Sequence, residues 1–437
     1  MKKIDYNNYI SGTIKLGVGF GVVSLLSRWV TGNTILSSPQ TLIQYGLIGG
    51  IGYSLVGAFC LILFGLLAKK IYGDFPDQQT IGDVLQQKLT ANGYWCMVTV
   101  LTITSLYSLF IQAVGAGILI QMIFPIPVFM GMLFFLTFCF FIGGIGGMQR
   151  LHQLAGVNVT VIFAAVLIIP VYFFIQDGVY PVYDGIKLYH PYIFYIKNTD
   201  AFWFIFIAIF VFFGQILIDP ATWQRIFILK KNKIRLTFAL TGLIWATIPL
   251  AFSLFIMIVL FGKGFEDIYS LFPELVNKIQ STVLILLFVV FCFSAIASTM
   301  SAELTAMTSL FIKNIMGVFR SLTNNEKWKY TIIFSGAICL FLLIIVSIQS
   351  PVPVKLLFVF GNIYAAIISP MLTIILSKKV QPFIVPFSAI IGACGGSLFL
   401  LVIDNFAAVL LSFAIPTITC LVVLLYQLLN YKRIENQ

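Results

Sequence analysis

Ser294, Ser298, Thr299 and Ser301 place four hydroxyls within about two turns of one apolar run, which extends from near Thr282 to near Met316. At helical spacing Ala295, Ser298 and Thr299 share a face. Two hydroxyls beside a freed backbone carbonyl form a hard-oxygen environment suited to a small cation. Small and hydroxylated residues also let helices pack closely, so the pattern alone leaves both readings open. Arg28 carries a charge inside another apolar run, where charge is costly and marks a functional candidate. It can bind a substrate carboxylate or form an internal salt bridge. Glu303, about one and a half turns beyond Ser298, is the expected bridge partner, since buried ions are usually paired. Asp219 and Arg225 are expected to pair locally. His152, beside Arg150, is either a proton relay or an interfacial histidine at a helix end. Trp29, Gln112, Phe212, Gln215 and Asn362 are candidate cavity residues, although such side chains at helical spacing also serve packing.

The elements that must carry these residues are membrane spans. The chain has 437 residues, of which 60% are hydrophobic and 9% charged, and a mean hydropathy of +1.03. That composition belongs to a polytopic membrane protein rather than a water-soluble domain. With about 20 apolar residues as the unit, twelve spans are predicted near 14–36, 42–68, 94–123, 127–147, 152–176, 200–226, 235–262, 280–316, 329–349, 352–377, 382–403 and 405–429. The polar start, Met1-Lys-Lys-Ile-Asp-Tyr6, does not read as a cleaved signal peptide. Seven cysteines stand singly in apolar runs, and the chain has two histidines, so neither a disulfide nor a His-based metal cluster is expected. No nucleophile–base pair or metal motif suggests an enzyme.

Charge gives an orientation. Arg150, Arg225, Lys230, Lys231, Lys233, Arg235, Lys313, Lys378 and Lys379 fall on one side, together with Lys2 and Lys3. The other side holds Lys187, Lys197, Lys263 and Lys278, offset by acids that include Glu266 and Asp267. The positive-inside rule then puts both termini in the cytoplasm. The net charge of +11 reads as topology; no aromatic–basic surface segment points to nucleic acid. The Tyr180-Pro-Val-Tyr-Asp184 segment either covers an outer vestibule or anchors at the interface.

Two spans look interrupted. Span 1 carries Gly17, Gly19 and Gly21, then Ser24–Thr34 with Gly32 and Asn33 in its middle and outer half. Span 6 carries Gly214-Gln-Ile-Leu-Ile-Asp-Pro220. Backbone that unwinds at membrane depth must line a cavity or be buried in protein, and secondary transporters build their sites this way. The two broken spans are five apart, as an inverted repeat of spans 1–5 and 6–10 would require.

Several motifs carry a family resemblance. Ser294–Leu304 resembles the eighth core helix of the sodium:solute symporter family, and Asp219–Asn232 resembles that family's Gln-Arg segment after core helix 6. Gly143-Gly-Ile-Gly-Gly147 is similar to its Gly-Gly element, Thr80-Ile-Gly-Asp-Val-Leu85 to its short amphipathic element, and Ser27–Tyr45 to its broken first helix. Together they cover about residues 15–380 in the family's order.

The resemblance implies an all-α LeuT-type five-plus-five inverted repeat, with repeats at 14–176 and 200–377 and two further helices at 382–429. It implies sodium-coupled uptake of a small polar solute across the inner membrane. Carried over by position, sodium would be held by the carbonyls of Ser27, Val30 and Ala295 and the hydroxyls of Ser298 and Thr299. Where many members have an aspartate for a second sodium, this chain has His152 or Ala155, and Ser301 is followed by Ala302. One sodium per cycle is therefore expected. The family's substrate-contacting glutamine falls at Thr34, which does not support sugar specificity. The competing readings are a proton-coupled carrier, with His152 or Glu303 as the proton site, and a non-transporting membrane sensor. The solute itself is not legible.

Overall fold

The computed structural model describes residues 6–12, 15–124, 126–262, 271–348, 353–400 and 405–435. Lys2, Lys3, Lys263, Glu266 and Asp267, used in the orientation argument, lie outside the described residues. The rest is almost entirely helical, in the order α1 (Tyr6–Ser11), α2 (Val18–Trp29), α3 (Gly32–Asp74), α4 (Ile81–Lys88), α5 (Ala91–Ile123), α6 (Val128–Cys139), α7 (Gly147–Gln176), α8 (Val179–Tyr189), α9 (Thr199–Ile218), α10 (Pro220–Ile228), α11 (Ile234–Leu260), α12 (Leu271–Lys278), α13 (Thr282–Ser309), α14 (Gly317–Phe319), α15 (Asn324–Ile348), α16 (Pro353–Leu376), α17 (Ile384–Phe399) and α18 (Asn405–Glu435). Among the described residues, nine helical stretches are long and apolar enough to cross a membrane. Three shorter apolar helices, Val18–Trp29, Phe360–Leu376 and Ile384–Phe399, join them. Large side chains such as Phe20, Ile175 and Leu429 stay exposed on the outside, where lipid tails rather than water are the natural solvent. In that solvent each helix must satisfy its own backbone, which is why the chain folds as helices.

The spans differ from the expected ones at informative places. The first unwinds at Val30–Thr31 instead of Gly32–Asn33, and Gly32 already belongs to the next helix. That helix continues to Asp74 through a kink at Gly46, whose φ of 71° no bulky residue adopts cheaply. The kink also brings backbone close: a side chain at Gly46 would meet the Ile193 carbonyl at 2.9 Å. The sixth span breaks fully at Asp219, giving α9 and α10. Wide π-helical turns extend α6 through Phe140–Ile145 and α13 through Leu310–Met316. Within the first of these, Gly143 presses on the backbone of Ser301, and a Cβ there would lie 2.3 Å from the Ser301 carbonyl oxygen. The glycine run therefore sets how closely α13 approaches.

At the two breaks α2 packs against α11, α7, α13 and α10, and α10 packs against α13, α2 and α3. Their contact surface is a single large apolar core that includes Leu25, Trp223, Trp245 and Phe291. Outside the spans, α4 begins with a capping box, Thr80 and Asp83 each bonding the other's backbone N–H. Asp83 also receives Lys313 Nζ at 2.8 Å and Asn314 Nδ2 at 2.9 Å, which ties α4 to the π-helical end of α13. On the α8 segment, Val182 and Ile186 are buried while Tyr180 is 81% exposed.

Candidate functional site

The break after α2 leaves its last carbonyls without helical partners, and such groups cannot stay orphaned in a buried setting. Each is met by a side chain from elsewhere. The Ser298 hydroxyl donates to the Ser27 carbonyl and lies 3.0 Å from Ser27 Oγ. The Thr299 hydroxyl lies 3.2 Å from the Arg28 carbonyl and 3.1 Å from that of Val30. Trp245 Nε1 donates to the Trp29 carbonyl at 2.8 Å. On the other side of the break, Thr31 and Thr34 cap each other, and Gln112 Oε1 accepts from the Gly32 N–H at 3.0 Å.

The structure thus gathers Ser27, Val30, Ser298 and Thr299 within hydrogen-bonding reach at the C-terminal end of α2. That end carries the negative pole of the helix dipole. Ala295 is buried one turn before Ser298 and Thr299 on α13. The other two hydroxyls of the run are placed differently. Ser294 donates to Asn158 Oδ1 on α7 at 2.8 Å, whereas the Ser301 hydroxyl is buried without a hydrogen-bond partner among the described residues, and it is the Ser301 backbone that lies against Gly143.

The charges begin at the next residue after Ser27. Arg28 presents Nε and Nη2 to Asp219, at 3.2 and 2.6 Å, and Nη2 also contacts Glu303 Oε2. All three side chains are almost completely buried. Asp219 is also the N-cap of α10, accepting from the Thr222 N–H at 2.9 Å and from the Thr222 hydroxyl. The expected local pair of Asp219 with Arg225 does not form. Arg225 turns away, donating to the carbonyls of Ser24 at 3.0 Å and Ala221 at 2.8 Å. Pro220 ends α9 and lets Asp219 face Arg28 across the break, and the bidentate fit of carboxylate to guanidinium holds it there.

The proposed cavity residues separate into two groups. Trp29, Thr34 and Gln112 are buried and engaged in closing the first break; Trp29 Nε1, for example, donates to Thr222 Oγ1 at 3.1 Å. Phe212 and Gln215 line a cavity of about 150 Å³ between α3, α9, α16 and the start of α18. Gln215 also borders a cleft of about 20 Å³ that contains Arg28, Asp219 and Glu303. Asn362 is fully buried, and neither end of its amide has a hydrogen-bond partner; its neighbour Gly361 lines the larger cavity. Tyr180 and Tyr183 do not border this cavity. His152 stands against Gly12, near enough that a Cβ there would be 3.2 Å from its Nδ1. Thr222, Trp245 and Asn158 escaped the sequence reading, because each is a single polar residue in an ordinary-looking helix and its partner lies in another span.

Comparison with known proteins bears on the fold. No family model matches the chain. The urea active transporter of Saccharomyces cerevisiae is 22% identical over an alignment of 405 residues that covers 84% of this chain and 53% of that protein. The chain spans about half the length of the curated relatives it matches. Among solved structures, a substrate-bound, outward-open Na⁺-coupled sialic acid symporter superposes with a TM-score of 0.77 at 12% identity, covering 96% of this chain and 92% of that one. Mhp1, a nucleobase-cation-symport-1 family transporter in a closed conformation with bromovinylhydantoin bound, gives 0.62 at 12% identity, covering 96% and 93%. The chain is therefore a multi-pass, all-α membrane protein with the LeuT-type fold that these cation-coupled symporters share.

Proposed function

We propose that the protein is a secondary transporter that couples inward sodium flow to uptake of a small polar organic solute by alternating access. The observation that carries this is the meeting of Ser298 and Thr299 with the carbonyls freed at the end of α2. Sodium is a hard cation that favours oxygen ligands. The carbonyls of Ser27, Val30 and Ala295 and the hydroxyls of Ser298 and Thr299 would hold it. Sodium binding would replace hydroxyl-to-carbonyl hydrogen bonds with ion–oxygen contacts, tying α2 to α13 and so linking ion occupancy to the position of the broken helix. The solute reaches this point from the cavity bordered by Phe212 and Gln215. The repeats at 14–176 and 200–377 supply the two moving halves, both termini face the cytoplasm, and the host is the cell's inner membrane. Urea, the solute named for the yeast relative, is the first to test.

A second reading has one observation behind it. Two buried carboxylates, Asp219 and Glu303, share one guanidinium, an arrangement in which Glu303 could carry a coupling proton. Uptake into proteoliposomes separates the two. An inward sodium gradient at equal pH should drive accumulation, and a pH gradient without sodium should not. The sodium dependence should have a Hill coefficient near one, for lack of an aspartate near His152. Uptake driven by the pH gradient alone would defeat sodium coupling.

A further inference from the structure

The outer cavity, the charge cluster beneath it and the carboxylate at its mouth together indicate a solute class. Resting on the transport reading above, we infer that the transported solute is a neutral, planar, amide-bearing molecule of about the size of a six-membered ring, and that carboxylates are excluded. The cavity of about 150 Å³ is mostly walled by apolar and aromatic side chains, among them Tyr53, Phe204 and Phe212. A cavity of this volume is large enough for a molecule such as benzene, and a flat solute can stack on aromatic walls. The polar groups offered to it are neutral. Gln40, Gln44, Gln215 and Asn405 each present an amide that both donates and accepts, and no charged side chain lines the chamber. Such groups match a solute that itself donates and accepts at fixed positions, as a urea, hydantoin or pyrimidine does.

The nearest cation does not alter this. Arg28 lies at the inner end, in the small cleft that Gln215 also borders. Its guanidinium is already engaged by two carboxylates, Asp219 and Glu303. An incoming carboxylate would have to displace one of them and leave it buried without its partner, which is strongly unfavourable. At the outer end, the mouth that shares Gln44, Tyr45, Asn405 and Phe406 with the chamber is bordered by Asp200, so an anion meets like charge on entry. A cation fares no better, because inside the chamber no carboxylate awaits it.

The test is equilibrium binding to the full-length protein in lipid nanodiscs, followed by ligand-induced thermal shift and intrinsic tryptophan fluorescence. The probes are urea, N-methylurea, hydantoin and uracil as neutral planar amides, acetate and benzoate as carboxylates, and guanidinium as a planar cation. Each is measured in sodium chloride and in choline chloride. The expected result is saturable stabilisation by at least one neutral amide and none by the charged probes. Gln215→Leu should weaken that binding by about tenfold, as loss of one solute hydrogen bond implies. Gln40→Leu, near the outer end, provides an independent variant should Gln215→Leu fail to fold. Saturable binding of acetate, benzoate or guanidinium overturns the inference, as does the absence of binding by all four neutral probes to protein that still unfolds cooperatively. Neutral binding that ignores sodium keeps the solute class and defeats the coupling. A sodium-induced shift without any neutral binding does the reverse.

Discussion

The two helix breaks solve the same problem with different chemistry. At Val30–Thr31 the freed carbonyls are met by neutral donors, two hydroxyls from α13 and an indole from α11, while on the far side an amide oxygen from α5 accepts from the Gly32 N–H. At Asp219 the break is held by charge, a carboxylate that caps α10 and grips Arg28 through Nε and Nη2, while Glu303 shares that Nη2. A neutral oxygen cluster can admit a cation at modest cost, because its hydrogen bonds are individually weak and easily exchanged. A buried ion network cannot lose one member without stranding the others. The first break is thus suited to a ligand that comes and goes, and the second to a fixed brace beside it.

This contrast predicts graded damage. Arg28→Gln should be the most severe single change, since it strands two buried carboxylates; a loss of about 3–5 kcal/mol of stability is expected. Adding Glu303→Gln should recover part of that loss, and thermal unfolding of the single and double variants in nanodiscs measures it. If the double variant is no more stable than Arg28→Gln, the charges are not acting as one brace. A milder change sits where the two breaks touch. Thr222→Val removes the hydroxyl that donates to Asp219 and accepts from the Trp29 indole, so it should cost about 1–3 kcal/mol. Sodium affinity should change little, since Thr222 touches neither proposed hydroxyl ligand.

The smallest effect belongs to the lock between α4 and the end of α13. Burial opposes ionisation of Asp83, but Lys313, the Gln79 backbone N–H and Asn314 hold its carboxyl below the usual carboxylate value. A carboxylate with a lowered folded-state pKa adds stability above its unfolded value of about 3.9 and loses it as pH falls further. The stability profile should therefore be flat through the neutral range with respect to this group and fall below about pH 4. Asp83→Asn should flatten that acid limb. An unchanged acid limb in the variant would show that the lock does not titrate as described.

What the sequence revealed follows from the range of each interaction. Spans were legible because hydrophobic runs are local, and the first break because Gly32 and the polar residues around it contradict a continuous apolar helix. The α13 face was legible because helical periodicity alone brings Ala295, Ser298 and Thr299 together. The brace was only half legible. Glu303 was named as a partner for Arg28, but Asp219, 191 residues from Arg28, was assigned to the nearby Arg225. Sequence distance suggested that pairing; the Asp219–Pro220 break, which turns the carboxylate inward, reversed it. Gln112 and Trp245 were not placed at the break, because no local pattern distinguishes a backbone cap supplied by a distant helix from an ordinary buried polar group.

Ser298 and Thr299 are proposed to hold the sodium ion, and the most direct test is the sodium dissociation constant of the purified protein without solute. It is read from sodium-induced thermal shift, with choline and potassium as controls, in wild type and in the Ser298→Ala/Thr299→Val double variant. A saturable, sodium-selective shift is expected in wild type. In the double variant, loss of two of the five oxygens should weaken sodium binding by about a hundredfold or more, equivalent to about 2.7 kcal/mol. A folded double variant with unchanged sodium affinity would contradict this proposal.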